Sequence, residues 1–420
     1  MFDFSKIVDV KPNERRALWW SWLYVFVLFL AYYTLRPIRD ELGAAGGVKQ
    51  LTWLFGGTLV AMLALTPLYG YLVKRWRREQ FIAIAYRFFM LNLGIFAVLM
   101  ATATGDVLVW TGRIFFIWVS VFNLFVVSVF WSLMSDVFST EQGKRLFGFL
   151  ATGATVGGIA GSAFVSALSD TFNNYIWLAL SLVLLEVAVL SAKRISRLGN
   201  QEVESESDAK ASQGEIGGGV LDGLKRTFQS PYLLGISAFI LLYSTTSTVL
   251  YFQQADIVNA NLTDRAERTA FFANIDLWVN SLTLIFQLGL TGRMMKYLGI
   301  IPVLAILPLL SAGSFALLAV YPTVAVFVLV QVARRVSNFA FTRPSREVLF
   351  TRLSREDRYK AKNVIDTVVY RSGDQIGSWS YAGLTAAGLS LTAISWLTVP
   401  VCVVWFFLAV WLARNERPDD

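Results

Sequence analysis

The stretch 391-LTAISWLTVPVCVVWFFLAVWLA-413 carries no charge from end to end. An apolar run of this length reads as a helix that crosses a bilayer, because a hydrocarbon core of ~30 Å takes roughly 20 helical residues at about 1.5 Å each. The stretch 232-YLLGISAFILLYSTTSTVLYF-252 reads the same way. The composition agrees: 55% of the 420 residues are hydrophobic and 16% charged, where a soluble domain carries about 25% charged residues. Strands of an outer-membrane barrel would alternate apolar with polar over about 10 residues, and the long apolar blocks do not alternate. The sequence therefore predicts an all-α polytopic membrane protein.

Twelve apolar segments are present, over 17–39, 50–73, 80–102, 106–135, 145–168, 172–192, 232–254, 268–292, 298–319, 322–348, 363–387 and 391–413. The basic residues between them test this division. Arg15 and Arg16, Lys74 to Arg78, Lys144 and Arg145, Lys193 to Arg197, Arg293 and Lys296, Arg352 to Lys362, and Arg414 and Arg417 all fall on one side if every segment crosses. Basic loops mark the cytoplasmic side, so both termini are expected in the cytoplasm, in a bacterial inner membrane. The N-terminal 16 residues do not have the pattern of a signal peptide. The net charge of +8 is explained by these loops, and the expected partners are the lipid bilayer and a small solute, with no nucleic acid.

A Glu-, Ser- and Gly-rich stretch near the middle has little to bury and reads as a cytoplasmic linker. It divides the chain into a six-helix bundle over 1–194, the linker over 195–231 and a second six-helix bundle over 232–420. The halves echo each other. In 131-WSLMSDVFSTEQGKRLFGFLATGATVGGIAG-161 and 344-PSREVLFTRLSREDRYKAKNVIDTVVYRSGDQIG-377 a helix ends, a Ser-x-Glu turn follows (Ser139/Glu141, Ser354/Glu356), and a helix begins with glycines four apart (Gly157/Gly161, Gly373/Gly377). This favours two six-helix pseudo-repeats, the architecture of major-facilitator-type carriers.

The chemistry is narrowed by what is missing. There is no histidine, and Cys402 is the one cysteine, so a His-ligated metal, a haem His ligand and intrachain disulfides are excluded; no metal and no cofactor are expected. No GxxxxGK[ST] phosphate loop is present. The expectation is a secondary carrier, not an enzyme.

Charges inside spans cost roughly 2.5–3.5 kcal/mol each on insertion scales, and they mark cavities or partners. Helix 1 ends in 35-LRPIRDELG-43, with Arg36, Arg39 and Asp40 either at a solvated helix end or on a cavity face, and Pro37 able to break the helix there. Helix 4 holds Asn123. Helix 8 holds Asp276 and Asn280 on one face, with Glu267 and Arg268 expected in solvent at its outer end. Helix 10 holds Arg343 and Glu347, four apart and able to pair, and Arg346 near the inner mouth, a gate or a substrate contact. Helix 11 is the richest: Asp366, Tyr370 and Asp374 follow at intervals of four in one stripe, and Arg371 is placed to pair with Asp374. Clustered arginines favour an anion, since a guanidinium binds phosphate or carboxylate in a fork.

The segment 32-YYTLRPIRDELG-43 resembles the first-helix pattern of the nucleotide (ATP:ADP) antiporters of plastids and intracellular bacteria, through Arg36, Arg39 and Asp40. The segment 125-FVVSVFWSLMSD-136 is similar to the family's fourth helix. Pro344, Arg346, Glu347, Lys360, Lys362, Ile365 and Asp366 resemble its helix 10–11 motif. The resemblance implies a major-facilitator-like carrier exchanging nucleotides, with the helix 1 basic residue important for transport and Glu41 left as a solvated residue. The chain differs from the plastid pattern at Asn123, where a Glu stands, in helix 7, and in helix 11 at Gly373-Asp374-Gln375-Ile376, where the pattern is Gly-Lys-Ser-Gly. The resulting expectation is alternating access, with Arg36, Arg39 and Arg371 on the anionic oxygens and Asp40, Asp366 and Asp374 pairing with arginines in the empty site. A carrier for another organic anion or amphipathic solute, and a non-transporting membrane assembly or lipid-handling module, remain as alternatives.

Overall fold

The computed structural model describes residues 10–12, 14–75, 78–203, 230–350, 361–362 and 364–415. Most of the acidic linker, the Ser354/Glu356 turn and the basic residues Arg352, Arg355, Arg358, Lys360 and Arg417 lie outside them. The described residues form twelve helical rods. These are α1 (Arg15–Ala45), α2 (Gly47–Arg75), α3 (Arg78–Thr102), α4 (Gly105–Val137), α5 (Thr140–Leu168), α6 (Asn174–Val203), α7 (Pro231–Asn261) and α8, which runs Arg265–Phe286 and on to Leu298. There follow α9 (Ile300–Val320), α10, which begins as Val324–Ser337 and runs to Leu349, α11 (Tyr370–Ala386, preceded by Ile365–Val369) and α12 (Leu391–Arg414). Eleven are long and apolar enough to cross a membrane. The other, α11, has 17 residues behind a five-residue π turn, together about 33 Å at the helical rise, and it holds the densest polar face.

Polar caps start several rods. Ser139 and Gln142 form a reciprocal capping box on α5, and Ser230, Thr323 and Ser390 cap α7, α10 and α12. These side chains satisfy amides that a helix start leaves without a partner. Pro37 does not break α1, which continues to Ala45. Proline removes one donor of the ladder, and the Arg36–Asp40 pair, one turn apart, spans it.

The residues cluster into two compact units. The first takes its described residues from Met1–Gly43, Val60–Gln213 and Asp264–Asn280; the second from Ala44–Leu59, Gly214–Thr263 and Ser281–Asp420. The first thus includes the start of α8, and the second the start of α2. The core of the first unit is aromatic: Tyr24 and Tyr86 share a buried hydroxyl contact at 2.6 Å, and Phe122 meets Phe89 edge-on and stacks on Trp118. Just ahead of α1, Glu14 accepts from Arg145 Nη2 at 2.8 Å, the Lys11 amide at 3.0 Å and Gln142 Nε2 at 3.1 Å. Burial pushes its carboxyl up, but the Arg145, Lys11 and Gln142 hydrogen bonds outweigh this and leave it below the ordinary carboxylate range.

The glycine echo has the same meaning in both units. A Cβ on Gly157 would collide with the Phe26 carbonyl, and one on Gly161 would lie 2.8 Å from Leu30 O, so α5 packs backbone to backbone on α1. A Cβ on Gly373 would lie 2.8 Å from Leu241 O, and one on Gly377 2.6 Å from Thr245 O, so α11 packs likewise on α7. Helices 5 and 11, and helices 1 and 7, are counterparts in a six-plus-six repeat, and each unit repeats the same close approach of small residues. In the second unit, π turns interrupt α8 at Gln287–Thr291 and α10 at Asn338–Thr342. Gln287 donates to Phe339 O at 3.1 Å and Thr291 to Ala340 O at 2.9 Å, so one π turn satisfies carbonyls of the other.

Candidate functional site

In the first unit the charged end of α1 stays inside the protein. Arg39 Nη2 lies 2.6 Å and Nε 3.0 Å from Asp40 Oδ1. Arg36 Nε lies 3.8 Å from Asp40 Oδ2, and its Nη1 lies 3.3 Å from Asp276 Oδ1 on α8. The Asp276 side chain is 1% exposed and that of Asp40 6%. The two guanidiniums also cover ring faces, Arg36 that of Tyr33 and Arg39 that of Phe116. Arg39 reaches Ser120 of α4 at 3.5 Å. Asn123 lies one turn further on, half-buried, without a side-chain hydrogen bond among the described residues. Two cations and two acids thus balance in one cluster, and four of the residues singled out from sequence meet there: Arg36, Arg39, Asp40 and Asp276.

Glu41 is not solvated. Its side chain is 2% exposed and accepts from Arg268 Nη2 at 2.9 Å and Arg265 Nε at 3.1 Å. Arg268 is correspondingly drawn out of solvent, its side chain 15% exposed. The reason is the length of α1: because the helix runs past Pro37, Glu41 is carried to the start of α8, where two arginines wait.

In the second unit Asp374 is held from three sides. Its Oδ1 accepts from Ser244 at 2.5 Å and from Thr248 at 3.1 Å, both on α7, and its Oδ2 from Arg371 Nη1 at 2.9 Å. Ser244 and Thr248 are one turn apart in the run 244-STTST-248, whose hydroxyl density inside a spanning helix was the available signal. Arg346 pairs instead with Asp366, at 3.1 Å. Asp366 and Asp374 therefore have different arginine partners, Arg346 and Arg371. A π turn at Ile365–Val369 carries Asp366 and leads into α11. Arg343 and Glu347 do not pair either. Glu347 contacts Lys362 and, at 3.6 Å, Arg346, while Arg343 lies over the Phe339 ring. Two further charged groups, Arg334 buried and Asp256 half-buried, carry polar contacts that the sequence did not suggest. Arg334 donates to Ser311 at 2.8 Å and to Thr246 Oγ1 at 3.1 Å, and Asp256 accepts from the Tyr381 hydroxyl at 2.5 Å.

The chain as a whole is similar to known transport proteins. The chain is 22% identical to ADP,ATP carrier protein 2 of Chlamydia pneumoniae over 98% of its own length and 89% of that protein. It is 23% identical to ADP,ATP carrier protein 2 of Chlamydia trachomatis serovar D, over 93% and 88%. Among solved structures, a bacterial homologue of the human lysosomal transporter Spinster, inward-facing and unoccupied, superposes with a TM-score of 0.62 at 13% identity, covering 97% of this chain and 99% of that one. The nucleoside transporter NupG superposes at 0.60 and 16%, covering 97% and 98%. These two show the shared fold. The family model of the Major Facilitator Superfamily matches residues 21–363. The chain is an integral membrane transporter that belongs to the Major Facilitator Superfamily.

Proposed function

We propose that the protein exchanges nucleotides, ATP- or ADP-like, or closely related phosphorylated anions, by alternating access, and that it is a carrier and not an enzyme. The observation that carries this reading is the α1 cluster: Arg36 and Arg39, 17% and 15% exposed, neutralised by Asp40 and Asp276. Guanidiniums bind phosphate oxygens by paired, charge-assisted hydrogen bonds. A buried guanidinium without an anion is costly, so the acids hold the arginines while no substrate is bound, and an incoming phosphate takes their place. Arg371, held by Asp374, offers a second guanidinium of the same kind in the other unit, and the Arg346–Asp366 pair a third. Similarity to ADP,ATP carrier proteins over nearly the whole chain supports the nucleotide. The basic loops support cytoplasmic termini in a bacterial inner membrane.

The test is uptake of labelled ATP and ADP into proteoliposomes, loaded or not with unlabelled nucleotide. Exchange is expected, and Arg39→Ala or Arg371→Ala is expected to lower it about tenfold or more, as loss of one charge-assisted bond implies. Failure of every nucleotide to enter or exchange, with uptake of another organic anion, replaces the substrate. Failure of any solute to move favours an assembly or lipid-handling role.

A further inference from the structure

We propose that Gln375 reads the base of the transported nucleotide, and that it selects adenine at the edge formed by its N6–H donor and N7 acceptor, where guanine offers two acceptors. The inference rests on the nucleotide reading above and concerns a residue outside the charged clusters.

The polar residues of α11 lie on two adjoining faces. Gly373, Asp374 and Gly377 face α7, where the glycines seat on its backbone and Ser244 and Thr248 hold the carboxylate. Arg371, Gln375 and Ser378 follow at i, i+4 and i+7 and so share the next face. Gln375 is 4% exposed, yet neither its amide oxygen nor its amide nitrogen has a hydrogen-bond partner among the described residues. Ser378, fully buried, likewise lacks a partner for its hydroxyl.

A buried polar group left without a partner forfeits about 1–3 kcal/mol, and such groups are uncommon enough in proteins that each calls for a reason. A leucine at 375 would fill similar space without that loss. An amide here makes physical sense if it gains its partners in another state of the transport cycle. Gly56 of α2, in the same unit, lies over the amide: a Cβ there would be 3.7 Å from Gln375 Oε1. Withdrawal of α2 opens the amide to a ligand.

The chemistry of that ligand follows from the amide and its neighbour. A carboxamide presents one acceptor and two donors in a plane, which matches N6–H and N7 of adenine, whereas the same edge of guanine offers two acceptors, O6 and N7. One turn away along the same face, about 6 Å by the helical rise, Arg371 supplies a guanidinium suited to phosphate. A base at Gln375 and a phosphate at Arg371 use both groups at once, and the phosphate competes with Asp374 for the guanidinium.

The experiment measures uptake of labelled ADP and GDP by the full-length protein in proteoliposomes, for wild type, Gln375→Leu and Gln375→Glu. Ligand-induced thermal shifts with the same two nucleotides in detergent give a readout for any variant that reconstitutes poorly. Wild type is expected to prefer ADP, and Gln375→Leu to reduce the ADP:GDP ratio about tenfold, the equivalent of one good hydrogen-bonded contact. Gln375→Glu, which has acceptors only, is expected to shift the ratio further towards GDP, whose base offers adjacent donors. A wild type that handles both nucleotides equally, or a ratio unchanged within twofold in both variants, overturns the inference and leaves the nucleotide reading standing. Wild-type protein that moves and binds no nucleotide overturns the nucleotide reading, and this inference with it.

Discussion

The pair between Arg36 and Asp276 invites a double-mutant cycle. At 3.3 Å, two unit charges attract by about 5 kcal/mol in an effective dielectric of about 20. Desolvation offsets part of this, and removing one partner of a buried pair usually costs about 3–5 kcal/mol, chiefly through the charge left behind. Arg36 retains Asp40 at 3.8 Å and is 17% exposed, which favours the lower end, about 3 kcal/mol for Asp276→Leu. Replacing both partners, Arg36→Met with Asp276→Leu, removes the stranded charge along with the pair. The double variant should then lie within about 1 kcal/mol of wild type, a coupling of about 2–3 kcal/mol or more. Equilibrium unfolding in mixed micelles measures the four corners. Transport separates the roles: the double variant should be stable and still inactive, because no guanidinium remains at 36 to meet the substrate. If the losses of the two single variants add to that of the double within about 0.5 kcal/mol, the reasoning about charge compensation is refuted.

Two further predictions follow from single contacts. Glu14 has a carboxyl held below its ordinary value in the folded protein, so its contribution to stability is fully present above the unfolded value of about 4.3 and is lost as pH falls through the folded one. The melting-temperature gap between wild type and Glu14→Gln should therefore be constant at neutral pH and close on acidification below that point. Gly377→Val drives two methyls towards Thr245 O, which already lies 2.6 Å from a Cβ position. It should destabilise by about 1–3 kcal/mol or more, whereas Gly383→Val, where no atom lies within 4 Å of the Cβ position, should cost no more than the change in helix propensity.

How much of this was legible in the sequence depended on whether a contact is local. The rods were legible because bilayer thickness sets their length and basic loops fix their number. The Arg371–Asp374 pair was legible because three residues of regular helix bring its members together. The glycine pairs were legible because they occur twice. Contacts that close between distant helices were not. Nothing near Glu41 in sequence announces Arg265 or Arg268, and nothing near Asp374 announces Ser244. The π turn at Ile365–Val369 was illegible for a different reason: five residues of π helix leave no mark in composition. The unpartnered amide of Gln375 was out of reach for a simpler reason, since a missing contact is visible only once all contacts are known.

The repeat also separates two acids that the sequence presents alike. Glycines on α5 seat on residues 26 and 30 of α1, and those on α11 on residues 241 and 245 of α7. In that register Arg36, Arg39, Asp40 and Glu41 correspond to Tyr251, Gln254, Ala255 and Asp256. Of these four charges, Arg36, Arg39 and Asp40 have uncharged counterparts in the second repeat, while the outer acid occurs in both. Its surroundings differ. Glu41 neutralises two guanidiniums; Asp256 accepts one phenol proton from Tyr381. Glu41→Gln removes the buried negative charge between two guanidiniums, one of them 15% exposed, and should cost about 2–4 kcal/mol. Asp256→Asn keeps an oxygen for the Tyr381 hydroxyl and removes a half-buried charge, so it should cost no more than about 1 kcal/mol and can stabilise. Unfolding of the two single variants in the same micelles checks the order. A larger loss for Asp256→Asn than for Glu41→Gln would show that Asp256 meets a cation in the folded protein, and that the two repeats manage their outer acids in the same way.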